Sequence, residues 1–354
     1  MKEKYNSIND LSLKEKIAQM FLVGFHGHHC DEGSETAMMI ENDKPGGVIL
    51  FDKDMINHTP VHNIKSPDQV LKLTTQLQNK SQIPLLIGID QEGGLINRLK
   101  PEYGFPVTQS HQKLGEIDSK TITEKEAALI SGVLADIGIN INFAPCVDLA
   151  INSESSIIAT RERCFGSNSD QVIKHAEAYI NGHNENSILT ACKHFPGHGS
   201  AKGDTHAGFV DVTTSWVSDE IEPYKYLIDE DLCPVIMTSH IFNKSFDAQY
   251  PATLSKNTLT GLLREKLGFK GVIISDDMQM KAISDHYSLS ESLKLGLIAG
   301  LDIFCFGNNL LKEQVILSDA INAVFQLIEE GIISESRIDQ SVERILNLKN
   351  TYLS

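Results

Sequence analysis

Positive charge is the scarce commodity in this chain. Lysine and arginine total 31 against 47 aspartates and glutamates, for a formal net charge of −16. That balance excludes a nucleic-acid-binding surface, which rewards clustered cations, and one built for an anionic membrane. No run of about 18 apolar residues occurs, so no membrane span is expected. The polar start, Met1 to Asp10, has no signal-peptide core, so a cytoplasmic protein is expected, or an exported one if a leader has been removed. None of the six cysteines forms a C-x-x-C pair. Cys146, Cys192, Cys233 and Cys305 sit in or beside apolar runs, as free thiols do in a reducing compartment. There is no G-x-G-x-x-G after an early strand, no P-loop lysine with its Ser/Thr, and no H-E-x-x-H. No cofactor and no metal are therefore expected.

What is present is a rhythm. Eight short apolar, β-rich runs recur: Phe21–Phe25, Gly47–Phe51, Leu85–Asp90, Ile139–Pro145, Leu189–His194, Pro234–His240, Gly271–Asp276 and Leu301–Phe306. Helix-like stretches fill most gaps. Thr121-Ile-Thr-Glu124 reads as a capping box opening a helix that stops near Gly138. Leu259, Leu262, Leu263 and Leu267 keep helical spacing ahead of Gly268. Asp52–Lys65 reads as a long loop, and two helices, about 311–330 and 335–349, close the chain. Nearly all-apolar strands alternating with helices imply a parallel sheet covered on both faces. Eight such units predict a closed (β/α)8 TIM-type barrel of the α/β class, with an open doubly wound sheet as the alternative. One domain is expected over residues 1–354, with a core of about 10–310 and C-terminal helices over about 311–350.

The strand ends carry the chemistry. The third run ends at Asp90, the fourth leads to Asp148, the fifth to Lys193 and His194, the sixth to Ser239 and His240, the seventh to Asp276 and Asp277, and Asn308 follows the eighth. Barrel enzymes place catalytic groups on this C-terminal rim. By position Asp276 and Asp277 are equal candidates for a nucleophile, and both are alternatively caps for the next helix.

The run Ala191 to His206 holds two lysines, three histidines, one aspartate and three glycines, a set no core can use. Asp204 and His206 fall on one side of an extended loop. There a carboxylate fixes the imidazole's tautomer and raises its pKa, unless Asp204 merely bonds its own turn. Gly197, Gly199 and Gly203 would let the segment change shape. As metal ligands, His194, His198 and His206, or His26, His28, His29 and Cys30, lack a recognised spacing, and the His26–Cys30 cluster reads as a solvated loop. Asp90-Gln-Glu-Gly-Gly-Leu-Ile-Asn-Arg98 offers acids and a base around a Gly93-Gly94 turn.

Taken together these segments resemble glycoside hydrolase family 3, and within it the single-domain β-N-acetylglucosaminidases of peptidoglycan recycling. Lys193-His-Phe-Pro-Gly-His-Gly199 with Asp204-Thr-His206 is similar to that branch's signature, and Ile89–Arg98 to its D-x-E-G-G-x-V-x-R segment. Gly46–Phe51, Phe143–Asp148, Arg163–Gly166, Met237–His240 and Gly271–Asp277 follow in the family's order. The resemblance implies a retaining exo-hydrolase of β-linked N-acetylglucosamine, acting on cell-wall saccharides through a covalent glycosyl-enzyme. It implies Asp276 as nucleophile, His206 with Asp204 as acid/base, and Asp90, Arg98, Arg163, Lys193 and His194 as sugar-binding residues, with Arg161 competing for the Arg163 position. Leu95 and Gln91 depart from the branch, which often has arginine and histidine there. Asn152–Glu162 is longer than its usual approach to the arginine. The alternatives are a β-glucosidase, a β-xylosidase or a phosphorylase of the same family, and, outside enzymes, a sugar-binding barrel without turnover.

Overall fold

The computed structural model of the protein describes residues 7–59, 61–154, 157–312 and 314–353. The expectations for residues 1–6 and for Ser155–Ser156 in the approach to Arg163 lie outside the described residues. Eight parallel strands close on themselves in chain order, each paired with the next and β1 with β8. They are β1 (Phe21–Gly24), β2 (Gly47–Leu50), β3 (Leu86–Ile89), β4 (Ile141–Asn142), β5 (Leu189–Phe195), β6 (Val235–Thr238), β7 (Val272–Asp277) and β8 (Ile303–Phe306). Every residue of the first six strands and of β8 is buried; only Asp276 and Asp277, at the mouth of β7, emerge part-way. Strands buried on both faces have no polar side to show, which is why the pattern is a continuous apolar run and not an alternation. The TIM-type reading holds.

β4 is shorter than its apolar run. Pro145 has no N–H for the ladder, and the side chain of Asn142 takes over at the strand end, accepting from Gln91 N at 3.0 Å and donating Nδ2 to Gln91 O at 2.9 Å. The capping box is corrected. The helix spans Lys120–Asp136, so Thr121 lies inside its first turn, and Ser119, the N-cap, makes no side-chain cap bond. The leucine-spaced segment before β7 is a π-helical stretch, Asn257–Lys266, with Gly268 beyond it at φ +73°. The closing helices run Leu317–Glu329 and Glu335–Tyr352. The second of them is tied back to the first turns of the chain through Lys349 Nζ on Gln19 Oε1 at 2.7 Å and Asp339 on Lys16 at 2.8 Å.

Buried charge gathers at both barrel ends. At the start of β8, Asp302 takes Ile273 N, Ser341, Arg264 and Arg344, at 2.5–3.0 Å, which pins the last helix to the barrel floor. The other cluster is at the C-terminal rim. All six cysteines are buried and free.

Candidate active site

A cleft of about 550 Å³ opens at the C-terminal ends of the strands. Its lining brings together Asp90, Arg98, Arg163, Lys193, His194, Asp204, His206, Asp276 and Asp277. The three catalytic and five sugar-binding residues expected from the sequence therefore meet in one place, with Asp277 beside them.

The first group is a buried charge lattice. Lys193, 2% exposed, donates to Asp90 Oδ1 at 2.7 Å and lies 2.8 Å from Glu92 Oε1. Glu92 also receives the Arg163 guanidinium, Nε on Oε2 at 2.9 Å and Nη2 on Oε1 at 2.7 Å. Burial would raise both carboxyls, but Lys193 with Arg98 holds Asp90 below its ordinary value, and Arg163 with Lys193 holds Glu92 well below. Both remain ionised, because each carboxylate has two cations at 2.7–3.5 Å. Arg98 reaches Asp90 at 3.5 Å and Asp52 at 3.8 Å and leaves 28% of its side chain open to the cleft. Arg161 is exposed on the cleft wall, so Arg163 is the arginine in the lattice.

Local sequence explains the loop that holds this group. Gly93 has φ +104°, and a Cβ there would sit 2.1 Å from Gln109 O, so only glycine fits the turn. Gln91, where histidine was the family's habit, is a brace: Nε2 donates to Asn97 and Oε1 accepts the Arg98 and Leu99 amides, each at 2.9–3.0 Å.

Next to the lattice, His194 Nδ1 meets Asp148 Oδ2 at 2.7 Å, and its Nε2 faces Arg163 Nη2 at 3.1 Å. Arginine only donates, so Nε2 accepts and Nδ1 carries the proton to Asp148. Asp148 also accepts the His198 amide at 2.7 Å, so one buried carboxylate fixes both the imidazole and the start of the following loop.

The two aspartates on β7 separate. Asp277 Oδ1 accepts Gln279 N at 3.0 Å and Gly307 N at 3.2 Å, which makes it the cap of the turn after β7. Burial pushes its carboxyl up to about 6. Among the described residues, Asp276 accepts only its neighbour's amide, Asp277 N, at 2.8 Å. Burial would raise it too, but the nearby imidazoles of His194, His240 and His206 hold it down at about 2. At neutral pH Asp276 is an anion facing the cleft. His240 is itself engaged, donating Nε2–H to Asp277 O at 3.0 Å.

His206 stands at the mouth, with 45% of its side chain exposed and Nδ1 at 2.9 Å from Asp204 Oδ1. Burial would lower its pKa, yet the hydrogen bond to Asp204 and the negative charge of Asp276 outweigh this and raise it. Asp204 bonds the His206 amide as well, at 2.8 Å, so the turn and the dyad, alternatives in the sequence, are one arrangement. The role expected for the glycines needs correction. Gly197 and Gly199 are packed, not hinges: a Cβ on Gly199 would lie 1.7 Å from Leu149 O, and one on Gly197 2.6 Å from Glu220 Cβ. The exposed part of the loop starts after Ala201.

Glu220 was missed by sequence reasoning. Flanked by Asp219 and Glu222, it looks like one more surface acid. It is buried beneath the loop, Oε2 accepting Gly199 N at 2.8 Å and Ser200 N at 3.3 Å, and burial pushes its carboxyl up to about 7. Among the candidate metal ligands, the structure does not gather His194, His198 and His206 around a common point. His198 is buried, with a pKa lowered to about 4 by burial.

The lattice sets a prediction. Lys193→Ala leaves buried Glu92 with Arg163 alone and Asp90 with the half-exposed Arg98 alone. Unfolding free energy should fall by about 3–5 kcal/mol, as when one member of a buried ion pair is removed. A denaturant titration reads it, and an unchanged midpoint would mean that Lys193 is free to leave the lattice.

Residues 12–348 match the glycosyl hydrolase family 3 N-terminal domain. The chain is 30% identical over 342 residues to Beta-hexosaminidase A of Pseudoalteromonas piscicida, covering 89% of this chain and 55% of that protein. It is 30% identical over 351 residues to Beta-hexosaminidase LpqI of Mycobacterium tuberculosis, covering 96% and 83%. Among solved structures, a glycoside hydrolase family 3 β-N-acetylglucosaminidase from Paenibacillus sp. str. FPU-7 superposes with a TM-score of 0.87 at 32% identity, covering 97% of this chain and 63% of that one. The chain thus spans little more than half of the first of these relatives and under two thirds of the Paenibacillus protein.

Proposed function

Because the chain belongs to glycosyl hydrolase family 3, we propose that it is a retaining exo-β-N-acetylhexosaminidase, with residues 1–354 acting as one catalytic unit. The carrying observation is one cleft holding a carboxylate kept ionised, Asp276, opposite an imidazole kept basic, His206. In a retaining glycosidase the anion attacks the anomeric carbon while an acid protonates the leaving oxygen. Asp276 Oδ forms the C–O bond to the sugar, and His206, protonated, gives its proton to the departing alcohol. Neutral His206 then takes a proton from water, the hydroxide attacks the same carbon, and Asp276 leaves as carboxylate. Asp277, tied to two amides, takes no part in bond making.

Asp90, Lys193, Arg98, Arg163 and His194 hold the terminal sugar. A fixed carboxylate accepts from hydroxyls, while ammonium and guanidinium donate in set directions. The lattice at the closed end suits a single terminal residue, and this favours exo action. N-acetylglucosamine is the proposed sugar, since the Pseudoalteromonas and Mycobacterium relatives are named β-hexosaminidases and the Paenibacillus structure a β-N-acetylglucosaminidase. Cell-wall fragments are the proposed natural substrate.

The experiment is a panel of aryl β-glycosides of N-acetylglucosamine, glucose and xylose, each with and without inorganic phosphate. Preference for the N-acetylglucosaminide, with no phosphate dependence, is the expected result. A sugar 1-phosphate product would make the protein a phosphorylase, glucose or xylose preference would change the sugar, and no turnover on any glycoside would leave a binding barrel.

A further inference from the structure

A second cluster sits one loop away from the sugar site and takes no part in it. His26 follows β1, while Asp54 and His62 lie on the loop after β2. The two Nδ1 atoms stand 3.6 and 3.7 Å from the same oxygen, Asp54 Oδ2. Both gaps are too long for hydrogen bonds. The rings meet edge to face, centroids 4.8 Å apart. The Nε2 atoms of both are buried with no hydrogen-bond partner among the described residues. The side chains of His62 and Asp54 are 2% and 8% exposed, and that of His26 is 31%. Each of the three side chains offers one ligand atom, and these atoms lie within 4.8 Å of one another.

We propose that His26, Asp54 and His62 form a binding site for a divalent transition ion, zinc in the first place. Neutral imidazole and carboxylate are the ligands such ions take, at about 2.0–2.2 Å, and two tetrahedral ligands at that length are about 3.4 Å apart. The two nitrogen–oxygen spacings need to close by a few tenths of an ångström. An outer shell is in place: Asp54 Oδ1 accepts the Ile56 and Asn57 amides at 2.9 and 2.8 Å, and Asn57 Nδ2 donates to Oδ2 at 2.8 Å, which fixes the carboxylate's aim. The exposed side of His26 leaves an entry path and room for water as a fourth ligand.

The other close cluster, Cys146, Asp148 and His194, does not compete. Asp148 is filled by its own donors, and the Arg163 guanidinium lies on His194 Nε2, where a second cation would be repelled.

None of the three ligands lines the cleft, so the ion is structural. It clips the β1 loop to the β2 loop, which supplies Asp52, Lys53 and Met55 to the cleft wall. The far side of that loop is held by Asn309, which accepts Met55 N and donates to Lys53 O, both at 2.9 Å.

The test is zinc titration of the chelator-stripped full-length protein by calorimetry, with Co²⁺ absorption as a second readout. His206→Ala serves as the background, which removes the exposed Asp204–His206 pair from the count. One equivalent should bind, and zinc should raise the thermal midpoint. His62→Phe keeps a ring and loses the ligand; His26→Ala is half-exposed and spares the fold. Each should weaken zinc by more than the roughly 10–100-fold that loss of an outer-shell partner costs, and abolish the midpoint shift. If His62→Phe fails to fold, His26→Ala decides. No uptake in the His206→Ala background, or uptake unchanged in His26→Ala, overturns the site and leaves the glycosidase reading untouched.

Discussion

Asp276→Ala should reduce turnover by roughly 10⁴–10⁶-fold, the scale seen when a covalent nucleophile is deleted, while leaving the fold in place. The expectation of intact folding rests on position. Asp276 is at the strand mouth, and its Oδ1 bond to its neighbour's amide is the one it loses. The size of the effect rests on charge: a carboxyl held at about 2 is ionised at neutral pH. A slow fluorinated substrate should trap the sugar on the peptide containing Asp276, and the anomeric product should keep its configuration. Label on Asp277, or an inverted product, would overturn the assignment. Asp277→Asn is the control. Its remaining amide oxygen can still accept the Gln279 and Gly307 amides, so fold and turnover should both be largely kept.

The barrel was legible because burial on both sheet faces leaves an unmistakable mark. Each of the eight apolar runs became a strand within a few residues, and β4, at Ile141–Asn142, is the shortest. The failures are local. Thr121–Glu124 has the capping spacing, but the helix begins at Lys120 because propagation from Ser119 buries Thr123 and Ala127 against the body of the protein, which outweighs a cap bond. Rim residues were readable when they stood on strand ends, as Asp90, Lys193 and Asp276 do. Those acting through a second residue were not. Asp148 was visible as a strand-end acid, but its grip on His194 is not written in spacing. Glu220 sits among acids that look alike, and only the close approach of Gly197 and Gly199 reveals why one of them is underneath the loop. The histidines after β1 made the same demand. His26 was grouped with His28, His29 and Cys30 by sequence, but barrel closure sends it to Asp54 and His62, while His28 turns to Lys65 at 2.7 Å and Cys30 goes into the core.

The acid/base assignment gives the second large effect, and its signature is selective. General acid help matters in proportion to how badly the leaving group needs a proton. His206→Ala should therefore lose about 10²–10⁴-fold on a disaccharide and far less in the glycosylation step with an activated aryl glycoside. Breakdown of the glycosyl-enzyme, which needs His206 as base, should slow with every substrate and be rescued by azide, an anion needing no deprotonation. The pH profile adds a sign. His206 acts as acid in its protonated form, and its pKa is raised above the ordinary imidazole value of about 6.5. For disaccharides kcat/KM should fall as pH rises past that raised value. Asp204→Asn removes the carboxylate that raises it, so the falling limb should move to lower pH with a milder loss of rate. An equal loss on all leaving groups in His206→Ala, or no rescue by azide, would transfer the acid/base role to another rim group. Glu92 is closed to that role by its two cations, and His240 by its bond to the Asp277 carbonyl. A limb that stays put in Asp204→Asn would instead leave Asp276 as the charge that tunes His206.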